Sequence, residues 1–254
     1  MTSRIAFCLS GQARTWEKCY ASWYQALGNM GEVDLFFHLW DYNSHPQLRA
    51  EFIDGRPKEI PLSEDEKARI VSTLKPKKFL FESKKDVSQT GPTNVVSWFA
   101  HEQFYSLWRA ATLKREHEME NDFEYDVVVR LRSDLFFSGG FTSPVRADTM
   151  LPSTIHSVHN SIDATNGVMR IGDIFFMSDS LTYDHIAMFY DSFRYIDALS
   201  VMPSEPIFPP ELALFYYCAS IGVDNVPLPH IDFKIMRDAE HLARAGKLEQ
   251  YETV

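Results

Sequence analysis

The stretch that decides the fold is Tyr125–Phe137, YDVVVRLRSDLFF. Its three consecutive valines, Val127 to Val129, are apolar on both faces. That is the pattern of a central strand in a sheet covered on both sides. The stretch then turns charged without losing its alternation. Side chains two apart share a face of a strand, so Arg130, Arg132 and Asp134 are expected on one side and Leu131, Ser133 and Leu135 on the other. In open α/β sheets, ligands bind outside the carboxyl ends of the strands. Guanidinium groups there can grip a phosphate through paired hydrogen bonds, and a carboxylate can hold a divalent cation or a sugar hydroxyl. The structural alternative is an internal Arg–Asp ion pair that closes the strand.

Upstream, Arg4–Leu9 reads as a short strand, broken by Ser10, Gly11 and Gln12. A helix follows from Thr15, with Trp16, Cys19, Tyr20, Trp23 and Leu27 at helical spacing. A strand, glycine turn and helix at the start of an α/β chain is the opening of many nucleotide sites. Gly11 allows close backbone approach, and Arg14 near the helix start can meet a phosphate. A plain βα turn fits the same residues, since neither GxGxxG nor a Walker lysine is present. Val33–Trp40 is the second strand. Asp41 closes it at a carboxyl end, where it can hold ribose hydroxyls or a base N–H. His38, inside that strand, reads as a satisfied core histidine. Ser63 with Glu66 opens a short helix over 63–74 through a capping box. Lys78–Glu82 is a third strand, and 83–93 a loop rich in Gly, Pro, Ser and Thr.

The longest predicted helix covers 94–120, with Val95, Phe99, Gln103, Leu107, Ala110 and Leu113 in one stripe. Its charged end, KREHEMEND from Lys114, reads as a solvated face. Beyond the decisive strand, 139–170 reads as loop-rich and long for a connection. His156 and His159 within it lack a third ligand at metal spacing. Ile171–Ser178 is a fourth strand, Leu181–Tyr195 a helix, and Pro203–Pro210 a break. Prolines at a first turn start a helix over Glu211–Ile221, which Gly222 ends. Val223–Pro229 is an edge strand, and 237–254 a polar tail.

Composition bounds the partners. The 254 residues carry a net charge of −10 with no Lys/Arg-rich block, which argues against nucleic acid. Aromatic residues at 14% and charged residues at 24% are those of a globular chain. No apolar run approaches the ~20 residues of a membrane span. The first dozen residues lack the features of a signal peptide. Three cysteines without CxxC or zinc spacing suggest a reducing compartment, so a soluble cytoplasmic protein is expected.

Four stretches together resemble a GT-A-type glycosyltransferase: Cys8–Trp16 (CLSGQARTW), Phe104–Glu118 (FYSLWRAATLKREHE), Tyr125–Phe137, and Gly172–Ser178 with Pro209–Leu214 (GDIFFMS, PPELAL). The chain is similar to glycosyltransferases of bacteria and of large algal viruses over about residues 4–237. The resemblance implies a single α/β domain over 1–254, Rossmann-like, with a mostly parallel central sheet flanked by helices. Residues 1–137 would be its nucleotide-binding half and 138–254 its acceptor-side half. It implies a nucleotide-sugar donor and a glycan or other acceptor. Ser10, Gly11, Gln12, Arg14, Asp41 and Arg130 would lie on the nucleotide. Asp134 matches the last Asp of the family's D-x-D motif and would hold Mn²⁺ or Mg²⁺. Arg132 stands where the first Asp belongs, and could neutralise the leaving diphosphate in part of the metal's stead. Glu211 or Asp173 would be the general base if the reaction inverts the anomeric centre. A helix N-terminus at Glu211 favours its charged form, although a first-turn acid is also ordinary there. Other readings are a non-catalytic nucleotide-sugar or glycan-binding protein of the same fold, and, more remotely, phosphoryl or sulfuryl transfer.

Overall fold

Val127–Leu131 (β8) is buried at every position, as three adjacent valines between apolar flanks require. It lies fourth in a seven-stranded sheet, of order β12 (Asp224–Pro227), β10 (Thr154–Ser157), β11 (Phe176–Ser178), β8, β1 (Arg4–Gly11), β2 (Glu32–Trp40), β7 (Lys78–Glu82). The computed structural model describes residues 2–44, 52–53, 56–57, 59–83, 98–141, 150–157, 171–192, 210–228 and 231–236. β1 pairs in parallel with both β2 and β8, and β2 with β7. Only β11 runs against its neighbours. The expected mostly parallel sheet with the 125–132 stretch at its centre is therefore present, and β12 is the edge strand anticipated at 223–229.

The alternation of β1 and β8 sorts the core into two layers. Ile5, Phe7, Leu9, Val127, Val129 and Leu131 face α1 (Trp16–Leu27) and α2 (Glu64–Leu74). Ala6, Cys8 and Val128 face α3 (Trp98–Asn121), α4 (Ser180–Ala187) and α5 (Pro210–Ser220). All three cysteines, Cys8, Cys19 and Cys218, are free and buried. A 3₁₀ turn at Gly28–Met30 leads from α1 into β2. Small antiparallel pairs lie beside the main sheet: β3 (Tyr42–Ser44) with β6 (Glu59–Pro61), and β4 (Phe52–Ile53) with β5 (Arg56–Pro57). A last pair joins β9 (Leu135–Phe141) to β13 (Ile231–Ile235). No described helix is long and apolar enough to cross a membrane.

Ser63 caps α2 as its sequence indicates, its hydroxyl accepting from Glu66 N at 3.2 Å. Ser63→Ala should lower stability by about 1 kcal/mol. Urea titration of the two proteins checks this; an unchanged midpoint would mean that water replaces the cap.

Several expectations are corrected. β1 does not break at Ser10 but runs through Gly11, because β2 continues in register beside it, His38 opposite Ser10 and Leu39 opposite Gly11. The 171–178 strand shrinks to Phe176–Ser178, since Arg130 and Val129 of β8 offer pairing only from Phe176 on. The 139–170 region is not all loop. Gly139 and Gly140 extend β9, and Thr154–Ser157 forms β10, both paired to segments far away in the chain. The charged end of α3 is not simply a solvated face: Lys114 is fully buried and Glu118 nearly so. Packing of α4 over that turn encloses them, which helical periodicity alone does not reveal. β13 has no counterpart in the sequence reading. The expected helix start at 94–97, the loop at 84–93, His159, most of the 203–210 break and the tail at 237–254 lie outside the described residues.

Candidate functional site

Two turns meet at the carboxyl ends of β1 and β8. The first leaves β1 at Gly11, whose φ of +119° favours glycine, and a Cβ built there would meet nothing within 4 Å. It ends at Arg14, a non-glycine residue at φ +45° whose backbone N–H is held by Asn43 Oδ1 at 2.8 Å. Non-glycine residues in this region are rare, and they gather at ligand sites, where the surrounding structure imposes them. The second turn is Arg132–Asp134, closed by Leu135 N donating to Arg132 O. Here the sequence-based alternation fails. β8 ends at Leu131, and the next three residues turn.

The turns are tied together. Ser133 Oγ donates to Gln12 O. Arg14 Nη1 reaches Asp134 Oδ2 at 2.5 Å. Arg132 grips the same carboxylate with both arms of its fork, Nε to Oδ1 at 3.0 Å and Nη2 to Oδ2 at 2.7 Å. Asp134 is fully buried, while the Arg14 and Arg132 side chains keep 27% and 16% of their surface. From below, β13 secures the turn: Met236 N donates to Asp134 O, and Thr15 Oγ1 to Met236 O. Among the described residues, two guanidinium groups surround one carboxylate in an acidic chain. Each arginine has N–H groups left over and partial access to solvent.

Arg130 does not join this cluster. Its side chain points to the α3 face, where it donates to Asp173 O and lies over the Phe176 ring. Asp173 in turn accepts from Gln103 Nε2 of α3. Because β11 runs antiparallel to β8 with Phe176 opposite Arg130, the chain entering it at Asp173 lies just beyond the carboxyl end of β8. Glu211 sits in the first turn of α5, and its carbonyl accepts from Ile171 N at 3.3 Å. Both carboxylate candidates thus belong to the same end of the sheet. Ser10 is there too, on the α3 face, its hydroxyl buried without a hydrogen-bond partner. Asp41 closes β2, with its N–H on Glu82 O and its carbonyl accepting from Leu62 N.

Sequence reasoning missed Gln103, Asn43, Ser106 and Glu82. Gln103 fell in a helix stripe and read as packing. The others carry no local signal, since their partners are distant in the chain. His38 is buried with both ring nitrogens engaged, as expected of a satisfied histidine. Nδ1 lies 2.8 Å from Ser106 Oγ and Nε2 3.0 Å from Glu82 Oε2. Burial pushes its pKa below the ordinary 6.5, and the hydrogen bond from His38 pulls that of Glu82 down. His156 lies in β10, its pKa lowered by burial. Among the described residues no three His, Cys, Asp or Glu side chains group as a metal would need. A cavity of about 840 Å³ opens elsewhere, between the last turn of α3 and α4, beside Arg115, Met119, Phe123, Leu181, His185 and Met188. It lies toward the amino ends of the strands and contains none of the residues expected at the site.

Fold and site together define an α/β protein with an arginine–carboxylate cluster at the carboxyl ends of a mostly parallel sheet. No protein-family model matches the chain, and no curated protein matches it.

Proposed function

We propose that the chain is a nucleotide-sugar-dependent glycosyltransferase, in which the donor diphosphate lies on Arg14 and Arg132 and the nucleotide runs along Ser10–Gln12 toward Asp41. The observation that carries this reading is the junction of the Gly11–Arg14 and Arg132–Asp134 turns around one buried carboxylate. Asp134 spends both oxygens on the guanidinium groups and so orients them. Both arginines stand at the carboxyl ends of β1 and β8, where open α/β sheets bind their ligands.

The chemistry follows from charge. A nucleoside diphosphate leaving the sugar gains negative charge as the bond breaks. Preorganised cations aimed at that charge lower the barrier, and water-excluded surroundings strengthen them. Arg132 is the main such group and Arg14 the second. A Mn²⁺ or Mg²⁺ ion on Asp134 would have to displace both guanidinium groups. That donor set does not fit a metal. Asp173 or Glu211 would take the proton of the acceptor hydroxyl on the opposite side of the sugar. Gln103 and the Arg130 contact to the Asp173 carbonyl fix Asp173 in place for that role.

The test is slow donor hydrolysis, because a transferase leaks sugar to water whereas a binding protein of the same fold does not. Purified protein is incubated with a panel of nucleotide sugars, with and without Mn²⁺, and free sugar is measured. Release from one donor is the expected result. Thermal stabilisation by a nucleotide sugar with no release from any donor would instead identify a non-catalytic binder.

A further inference from the structure

An extended polar network lies under the Gly11 turn and takes no direct part in the chemistry proposed above. Gly11 N donates to Ser106 Oγ of α3 at 2.6 Å. Ser106 Oγ also lies 2.8 Å from His38 Nδ1 and 3.0 Å from the His38 carbonyl. His38 Nε2 meets Glu82 Oε2 at 3.0 Å, and the Tyr105 hydroxyl donates to the same oxygen at 3.0 Å. Arg109 Nε approaches that oxygen at 3.4 Å. His38 and Ser106 are completely buried. The groups facing His38 are therefore Glu82 from β7 and Tyr105 and Arg109 from α3, with Ser10 beside it on β1 in register.

This network has the residue types of a Ser–His–acid triad but not its accessibility, so Ser106 is no nucleophile. We infer instead that Ser106, His38 and Glu82 are positioning residues, which hold the Gly11 amide and with it the Gly11–Arg14 turn in the ligand-binding conformation. The hydroxyl is a three-way joint between the Gly11 amide, His38 Nδ1 and the His38 carbonyl. With His38 neutral and its proton on Nε2, Ser106 donates to Nδ1 and accepts from Gly11. With His38 protonated, Nδ1 donates to Ser106, whose own proton turns to the His38 carbonyl. The Gly11 contact persists in both states, but its oxygen then shares its lone pairs with a cationic donor, and the bond to Gly11 weakens. Burial holds the folded-state pKa of His38 below 6.5. Protonation is thus favoured in the unfolded chain, and stability falls as pH drops below about 6.5 toward the lower folded value.

The inference rests on the diphosphate site proposed above, and its test separates the two. Amide hydrogen exchange of Gly11 is read in the unliganded full chain, wild type and Ser106→Ala, at pH 7.5 and 5.5. Binding of inorganic pyrophosphate is read by calorimetry in both. Exchange at Gly11 should speed at least tenfold in Ser106→Ala, and in wild type should be faster at pH 5.5 than at 7.5 after correction for intrinsic rates. Pyrophosphate affinity should drop roughly tenfold, since small displacements of a positioning group carry such costs. His38→Gln, which retains a donor and an acceptor, should restore slow exchange at pH 5.5 by removing the titration. Unchanged Gly11 exchange in Ser106→Ala, in protein that melts like wild type, overturns the positioning role. If exchange responds as expected while wild type itself binds no pyrophosphate, the diphosphate site fails and the positioning of the turn stands.

Discussion

Arg132→Ala should lower donor turnover by roughly 10²–10³-fold, the 2.7–4 kcal/mol that one preorganised charge-stabilising group typically supplies. Arg132 keeps 16% of its side-chain surface and has a partner in Asp134 rather than a place in the core, so its loss opens no large apolar cavity. The melting temperature should move little. Arg132→Lys should recover only part of the activity. An ammonium can carry the charge, but it cannot engage Asp134 through two parallel donors and still present others to phosphate. Asp134→Ala is the companion. It removes the carboxylate that aims both arginines, and turnover should fall below detection. It should also destabilise the fold by about 2 kcal/mol, less than the 3–5 of a fully enclosed pair, because Arg14 and Arg132 can reach water. Melting and donor hydrolysis are measured on the same preparations. Mutants that melt early but retain activity per folded molecule would mean that the cluster is an internal ion pair and nothing more.

Lys114→Ala should produce the largest loss of stability, about 3–5 kcal/mol. Lys114 is fully buried and answers two carboxylates, Glu118 Oε2 at 2.8 Å and Asp184 at 3.0 Å. Ser180 bridges the group, taking a hydrogen bond from Lys114 and giving one to Glu118 Oε1 at 2.6 Å. Glu118 Oε1 also receives the Tyr125 N–H at 2.8 Å, at the approach to β8. Without the ammonium, the buried Glu118 carboxylate faces the half-buried carboxylate of Asp184. Burial already raises the pKa of Asp184 against the pull of Lys114. The mutant must therefore take up protons on folding, and its stability should be greatest in acid and fall as pH rises through the raised carboxylate pKa. Chemical denaturation at pH 5 and pH 8 reads both the size and the slope. A loss under 1 kcal/mol with no pH slope would show that water enters from the neighbouring cavity and resolvates the carboxylates.

The contrast between these two clusters marks how far residue patterns reach. Val127–Val129 suffices to place β8 inside a covered sheet, because only burial on both faces tolerates three adjacent valines. Ser63 and Glu66 announce α2, and Gly222, at φ +73°, ends α5. These are local interactions, spanning one or two turns of chain. β10 and β13 are different: each is short and depends on a partner strand about 70 to 100 residues away, Asp224–Pro227 for the first and β9 for the second. Nothing within four or five residues could signal either.

The site divides in the same way. Sequence alone determined that Arg132 and Asp134 stand at the carboxyl end of one buried strand and Gly11 and Arg14 at that of another, and it read Arg132 and Asp134 as still in the strand's alternation, where the structure has a turn. Tertiary structure decided that those ends are adjacent, through the parallel pairing of β1 with β8. It also decided that Asp134 is shared by two arginines, that Arg130 turns away to Asp173, and that Ser106 and His38 stand beneath Gly11. Hydrogen bonds between residues 29 to 120 apart in the chain are set by how the elements pack. Their geometry is a property of the assembled core, and no spacing in the chain encodes it.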